Sequence, residues 1–386
     1  MSAEPVRGLA EALRTQGVDV YLATHTTDIR WLTGFAGVFD SEQAHVALMA
    51  PARMQTEAWL FTDMRYSGAL RRLNTQGYWH ILDERIKRFV YVAEVLAREL
   101  GEVVAGRPVV IGIESDLRLD WFKALDAALA EAAGADGAAG AGFAYELREM
   151  TDVTTGLRAR KSGPEIEVLK AAQAITDAGF DHMLEYARPG LTEKEVAVEL
   201  EFFMRRAGAS GLAFPSIVAS GPNSALPHAV PGERVLQRGD ILLMDFGARL
   251  DDYCSDMTRT VVLGQADERQ QEMYAAVLEA HLAASAAYAP GMECATGQQI
   301  AEDILRAHGY EAGLVHGLGH GVGIDIHELP VIGPKVAERL EVGNVVTVEP
   351  GVYLEGVGGV RIEDCGVVTA EGFESFARAP KQLIEL

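Results

Sequence analysis

The sequence predicts a mixed α/β (α+β) protein of two domains, residues 1–150 and 151–386, with an internal repeat in the second. Three observations carry this expectation. Up to about residue 150, short β-prone runs alternate with amphipathic helical stretches. From residue 151 onward, helix-capping signals alternate with strand hairpins. Within that second part, two thirteen-residue segments align without a gap.

In the first part, VDVYLATH (18–25), AHVALMA (44–50), AWLFTDM (58–64) and PVVIGIES (108–115) read as strands. ERIKRFVYVAEVLAREL (84–100) and WFKALDAALAEAA (121–133) place apolar residues at helical spacing. GADGAAGAG (134–142) reads as a loop, since glycine costs a helix about 1 kcal/mol each relative to alanine. No cluster of catalytic residue types falls in this part.

In the second part, Ser162 with Glu165 and Thr192 with Glu195 have the spacing of a capping box. There the hydroxyl and the carboxylate each satisfy a free amide of the first turn. After Thr192, the apolar residues Val196, Leu200 and Phe203 share one helix face. Thr296 with Gln299 predicts a third helix start, ended by His308-Gly309. DILLMDFGARL (240–250) and DYCSDMTRTVVL (252–263) read as a strand hairpin.

Composition bounds the function. The net charge of −22 repels phosphate backbones and argues against a nucleic-acid partner. No apolar run reaches membrane-spanning length, and Glu4, Arg7, Glu11 and Arg14 break up any signal-peptide pattern, so a cytoplasmic protein with no membrane partner is expected. The three cysteines, Cys254, Cys294 and Cys365, form no CxxC pair and suggest neither a disulfide framework nor a structural zinc site.

The aligned segments are LQRGDILLMDFGA (236–248) and LEVGNVVTVEPGV (340–352), offset by 104. Asp245 meets Glu349 in otherwise apolar strands, and a second strand follows each copy with a further acid, Asp256 or Glu363. A carboxylate in such a strand is costly to bury unless a partner neutralises it. Strand periodicity puts Cys254 and Thr258 on the face of Asp256, and Arg361 and Cys365 on the face of Glu363. The thiols read better as small buried side chains than as ligands. Thr258 reads as a hydrogen-bond partner of a ligand carboxylate. Asp251 and Asp252 fall at a turn, where acids are solvated.

The segment VHGLGHGVGIDIHELP (315–330) adds His316, His320 and His327. His316 and His320 are four apart, but Gly317, Gly319, Gly321 and Gly323 oppose a helix and suit extended backbone in close approach to something. The run lacks the third glycine of GxGxxG and the lysine of a P-loop, so it is no phosphate cradle. Asp245, Asp256, Glu349, Glu363 and one imidazole then form a candidate ligand set. Four carboxylates balance two divalent ions, and mixed oxygen and nitrogen donors suit Mn²⁺, Co²⁺ or Zn²⁺ better than Ca²⁺.

DFGARLDDYCSDMTRT, GLGHGVGIDIHELP, VEPGVY and VRIEDCG resemble the signature segments of the pita-bread metallopeptidases, a family that includes methionine aminopeptidase, aminopeptidase P and prolidase. The resemblance spans residues 155–386. TTDIRWLTGF (26–35) resembles the start of the N-terminal domain of aminopeptidase P, prolidase and creatinase, which points to the proline-specific branch. It implies a creatinase/prolidase-type domain over 1–150 and a pita-bread catalytic domain with pseudo-twofold repeat over 151–386.

By that resemblance, Asp245 is the terminal ligand of one ion, Asp256 and Glu363 bridge, and His320 and Glu349 hold the other ion. His228 contacts substrate and moves protons, His316 and His327 line the pocket and stabilise the tetrahedral intermediate, and Arg361 and Tyr353 support the site. Glu349 also receives the proton of the attacking water. The implied activity is hydrolysis of the bond between an N-terminal residue and a following proline, as by aminopeptidase P, with prolidase action on Xaa-Pro dipeptides as the alternative. The implied cofactors are two divalent ions, Mn²⁺ foremost with Co²⁺ or Zn²⁺ as alternatives, and the implied assembly is a homodimer. Two rivals share the fold. A creatinase-like C–N hydrolase works without the metal centre, and inactive binding modules have lost ligands. The complete ligand set counts against both.

Overall fold

The computed structural model describes residues 4–35, 37–39, 47–52, 58–62, 64–74, 79–82, 108–134, 144–310 and 315–386. The chain divides into two compact units, Met1–Leu157 and Arg158–Leu386.

In the first unit, six strands, β1 (Val20–Ala23), β2 (Ala47–Pro51), β3 (Ala58–Phe61), β4 (Trp79–Leu82), β5 (Val109–Glu114) and β6 (Tyr145–Met150), form one mixed sheet in the order β4-β3-β2-β1-β5-β6. Helices α1 (Glu4–Thr15), α2 (Thr26–Thr33), α3 (Met64–Leu73) and α4 (Leu119–Gly134) supply the outer layers. Alternation along β1 shows why. Tyr21 and Ala23 join Leu9, Leu13, Ile29 and Leu32 in one core, whereas Val20 and Leu22 join Leu125 and Leu129 in another. Both faces are covered, so the strands read as continuous apolar runs. The predicted helix at 84–100 and most of the glycine-rich loop at 134–142 lie outside the described residues.

The second unit repeats one plan twice. Helices α5 (Gly163–Tyr186) and α6 (Glu193–Arg206) precede β7 (Gly211–Leu212), β8 (Ile217–Ser220), β9 (Ile241–Phe246), β10 (Ala248–Leu250), β11 (Tyr253–Cys254) and β12 (Met257–Val262). Helices α7 (Glu268–Ala287) and α8 (Cys294–Ala307) precede β13 (Gly319–Gly321), β14 (Glu328–Ile332), β15 (Val345–Val348), β16 (Gly351–Leu354), β17 (Gly358–Arg361), β18 (Asp364–Thr369) and β19 (Gly372–Ser375). The unit's two main sheets run β12-β9-β8 and β14-β13-β15-β18-β19, and smaller ones run β11-β10-β7 and β16-β17. The middle strands β9 and β15 carry the two aligned sequence copies, each paired antiparallel with the strand that follows the second acid.

The capping boxes at Ser162 and Thr192 form as expected. The third helix start does not. Thr296 lies inside the first turn of α8, whose N-cap is Glu293. The chain enters α8 from an antiparallel bridge between Glu293 and Arg339, which fixes the start three residues earlier. The hairpins also differ in detail. Asp256 and Glu363 each occupy a two-residue break, 255–256 and 362–363. There the chain leaves one pairing, β10 with β11 or β16 with β17, for another, β9 with β12 or β15 with β18. Strict period two fails across such a break. Cys254 and Cys365 accordingly turn into an apolar cluster with Val322 and Val345.

Candidate metal centre

A cavity of about 390 Å³ lies between the two halves of the second unit. Asp245, Asp256, Glu349, Glu363 and His320 line it together with His228, His316, His327 and Arg361. Tyr353 sits behind, donating to or accepting from two of them. Every one of the ten residues singled out from the sequence is therefore gathered at one place. Strand β9 delivers Asp245, the breaks deliver Asp256 and Glu363, the end of β15 delivers Glu349, and β13 delivers His320.

The glycines of β13 serve this geometry through the protein's own backbone. A Cβ on Gly319 would stand 2.2 Å from the Thr347 carbonyl oxygen, and one on Gly321 would stand 2.2 Å from that of Leu329. Close approach to neighbouring strands, rather than to a ligand, is what requires glycine at both positions.

The donor set fits divalent cations. One oxygen each from Asp256 and Glu363 and one nitrogen of His320 lie within 4.8 Å of one another. His320 Nδ1 donates to the Gly321 carbonyl at 3.0 Å. Its Nε2 lone pair then faces Asp256 Oδ2 at 3.5 Å and Glu349 Oε1 at 3.4 Å. Acceptors facing acceptors need a cation or a proton between them. Asp245 Oδ2 accepts from Arg361, while its buried Oδ1 has no hydrogen-bond partner among the described residues.

Electrostatics agree. Burial, then the charges of Glu363, Asp245 and Glu349, push the Asp256 carboxyl well above the usual range. Burial, then Glu349 and Asp245, do the same to Glu363. Burial raises Glu349 to about 8. Such a cluster is expensive without positive charge. Burial also lowers His316 and His320 to about 4, keeping both imidazoles neutral.

The supporting bonds are directional. Arg361 Nε donates to Thr258 Oγ1 at 2.9 Å, and Thr258 Oγ1 donates to Glu363 Oε2 at 2.7 Å. Arg361 Nη1 donates to Tyr353 Oη at 2.6 Å, and Tyr353 donates to His316 Nε2 at 2.8 Å. His316 Nδ1 donates to the Gly317 carbonyl. His327 stands edge-on to His320, ring centroids 4.3 Å apart. The next residue, Glu328, has a buried carboxylate that pairs with Lys161 at 2.9 Å and with Arg158.

Sequence reasoning missed Thr347, whose hydroxyl accepts from the His320 amide and donates to Glu349. Its place two residues before Glu349 on a strand was the available signal. It also missed the apolar lining, Phe214, Ile217, Pro227, Ile326 and Val331, which nothing in the sequence marks.

A profile of the Creatinase/Prolidase N-terminal domain matches residues 6–149, and one of Metallopeptidase family M24 matches residues 167–370. An uncharacterised peptidase of Bacillus subtilis is 34% identical across 100% of both chains. The chain belongs to metallopeptidase family M24. Two solved structures place it further. The Xaa-Pro dipeptidase from Bacillus anthracis superimposes with a TM-score of 0.86 at 34% identity, covering 100% of both chains. The X-Pro aminopeptidase from Thermotoga maritima gives 0.81 at 29% identity, covering 97% of this chain and 100% of its own. The expected creatinase-like and pita-bread architecture is thus borne out. No described helix of this M24 chain is long and apolar enough to cross a membrane.

Proposed function

We propose that this M24 chain is a dinuclear metal-dependent exopeptidase that cleaves between an N-terminal residue and a following proline. The observation that carries it is the convergence of five metal-type donors with His228, His316 and His327 on one cavity. A volume of about 390 Å³ is of the order that encloses a short peptide.

Asp245, Asp256, His320, Glu349 and Glu363 would hold two divalent ions, with Mn²⁺ the first choice and Co²⁺ or Zn²⁺ compatible with the same donors. When bound, such ions polarise a carbonyl and lower the pKa of a water to about 7. The chain's own groups do the rest. Glu349 takes the proton that the attacking water loses. Arg361 fixes Asp245 on one side and Tyr353 on the other, and Tyr353 keeps His316 a neutral acceptor at the cavity wall. His327 stabilises the oxyanion that forms on the scissile carbonyl. His228, on an exposed loop, contacts the substrate and carries a proton to the leaving proline nitrogen. The amide before proline lacks an N–H, so the apolar wall of Phe214, Ile217, Ile326 and Val331 meets a ring rather than a donor.

Aminopeptidase P action on peptides longer than two residues is the first reading. Prolidase action is the second, favoured by the likeness to the Bacillus anthracis Xaa-Pro dipeptidase over the whole chain. Metal-loaded protein offered Ala-Pro and Ala-Pro-Ala separates them. Release of Ala from the tripeptide alone supports the first reading, and cleavage of the dipeptide alone supports the second.

We read residues 1–150 as a creatinase/prolidase-like domain and 151–386 as the catalytic domain. A homodimer fits the family resemblance. Three buried free thiols, Cys254, Cys294 and Cys365, suit a reducing, cytoplasmic setting.

A further inference from the structure

Glu193 opens helix α6, and its side chain is buried to 1% exposure. Among the described residues it neither lines the cavity nor hydrogen-bonds a candidate ligand. An ionised carboxylate accepts only, and this one is saturated with donors from a single loop. It accepts from the Ser220 amide at 2.7 Å and the Ser220 hydroxyl at 2.8 Å. It accepts from the Asn223 side-chain amide at 3.1 and 3.2 Å on its two oxygens. It accepts from the Gly232 amide at 3.3 Å.

These donors mark the two ends of one segment. Ser220 closes β8, and Gly232 lies twelve residues later. Between them run a 3₁₀ turn (Gly221–Ala225) and the stretch Leu226-Pro227-His228-Ala229-Val230-Pro231. His228 stands near its middle and is exposed, with Leu226 and Val230 exposed on either side. The backbone of the same helix start repeats the clasp. The Glu193 amide donates to the Arg234 carbonyl and the Lys194 amide to that of Gly232. Arg234 continues the chain of contacts, donating to the Ser220 hydroxyl at 2.5 Å and pairing through both Nη atoms with Asp240 at 2.6 and 2.9 Å.

We propose that Glu193 is a positioning residue that clamps both ends of the 220–232 loop and so holds His228 at the cavity. The inference rests on the substrate-facing role of His228 argued above. Leu226, His228 and Val230 are exposed, so the tip depends in large part on how its base is held. A displacement of about 1 Å at a reacting group can cost about 100-fold in rate. Ser224 and Pro227 brace the far side, the first accepting from the Gly359 amide at 2.8 Å and the second from Arg361 at 3.4 Å. With those contacts left in place, loss of the Glu193 clamp loosens the loop without dismantling the ligand set.

The test is E193Q. Glutamine keeps the shape but presents an NH₂ to the Asn223 or Gly232 donors. Amide hydrogen exchange of metal-loaded protein is expected to quicken at least tenfold across 221–232 and to stay unchanged in β9 and β18. Metal content is expected to match the parent, and kcat/KM for a proline peptide to fall about 10- to 100-fold. Measured under enzyme excess, E193Q added to H228A lowers kcat/KM by less than about threefold, because the clamp acts through His228. The proposal is overturned by unchanged exchange in 221–232, by equal loosening of β9 or loss of metal, or by additive effects with H228A. N223A, which removes one donor pair and leaves the carboxylate, is expected to move the same readouts less and serves if E193Q does not fold. A parent protein that cleaves no proline peptide overturns the functional reading, while the exchange result still decides whether Glu193 clamps the loop.

Discussion

Arg259 Nη2 donates to Asp364 Oδ1 at 2.8 Å, and both side chains are essentially sealed from solvent at 1% and 2% exposure. The same guanidinium donates to the carbonyls of Thr258 at 2.9 Å and Glu363 at 2.5 Å. His281 extends the link, placing Nδ1 at 3.0 Å from the Val348 carbonyl and Nε2 at 3.6 Å from Asp364. The backbones at Thr258, two residues past Asp256, at Val348, beside Glu349, and at Glu363 itself are thereby tied to one buried ionic hub. Although burial works against it, His281 and the Arg259 charge hold the Asp364 carboxyl far below the usual range.

Replacing Arg259 with lysine leaves one ammonium where the guanidinium makes five hydrogen bonds, those to the Pro380 and Ala379 carbonyls included. Lysine keeps a charge for Asp364 but forfeits most of the guanidinium hydrogen bonds, each worth about 0.5–1.5 kcal/mol. Altered support of metal ligands costs about 10- to 100-fold in metal affinity. Urea unfolding and metal titration of R259K are expected to show both losses together.

The metal-stripped protein should have an unusual stability profile. Asp256, Glu349 and Glu363 have carboxyl pKa values raised by burial, Glu349 to about 8. The folded state therefore holds protons that the unfolded chain has released, and stability falls as pH rises. His316 and His320, lowered to about 4, act in the opposite sense between about 4 and 6.5. Above about 6.5 these two imidazoles add no further slope, while the raised carboxyls still lose stability as pH rises. Between pH 6.5 and 8 the loss is on the order of 2 kcal/mol for the Glu349 proton alone. Thermal unfolding of stripped protein is expected to show a falling Tm over that window, and reloading with Mn²⁺ to flatten it.

Gly319→Ala should damage fold and centre together. The added Cβ meets the Thr347 backbone carbonyl at 2.2 Å, which cannot swing aside, so β13 has to shift away from β15. Overpacking of this kind costs about 1–3 kcal/mol, and the neighbouring His320 moves with it. The expected result is a lower Tm and less than the parental metal content.

His320→Ala removes the nitrogen donor outright. Loss of a ligand should exceed the effect of altering its support, so metal affinity at that position is expected to fall more than about 100-fold. Calorimetric metal titration should show one tight equivalent lost, with the Tm of the stripped protein little changed.

Much of this site was legible because burial makes a carboxylate in an apolar strand conspicuous. Asp245 and Glu349 stood out in ILLMDFG and VVTVEPG, and the repeat linked them before any fold was known. Asp256 and Glu363 were found as residues, but their setting was not, since a break between two sheets leaves no periodic trace. The cap at Glu293 was hidden because a bridge to Arg339, distant in sequence, sets the start of α8. Glu193 carried no signal in the sequence beyond following the Thr192 cap. The five hydrogen bonds that it accepts come from a loop roughly thirty residues away, a pairing that only the fold creates.

The central claim is tested most directly by stripping the purified protein of metal, reloading it with Mn²⁺, Co²⁺ or Zn²⁺, and offering Ala-Pro-Ala, Ala-Pro and Ala-Ala-Ala side by side. The account predicts no cleavage by the stripped protein, recovery with metal on a proline-containing peptide, and none on Ala-Ala-Ala. Failure of every metal to restore cleavage of either proline peptide would contradict it.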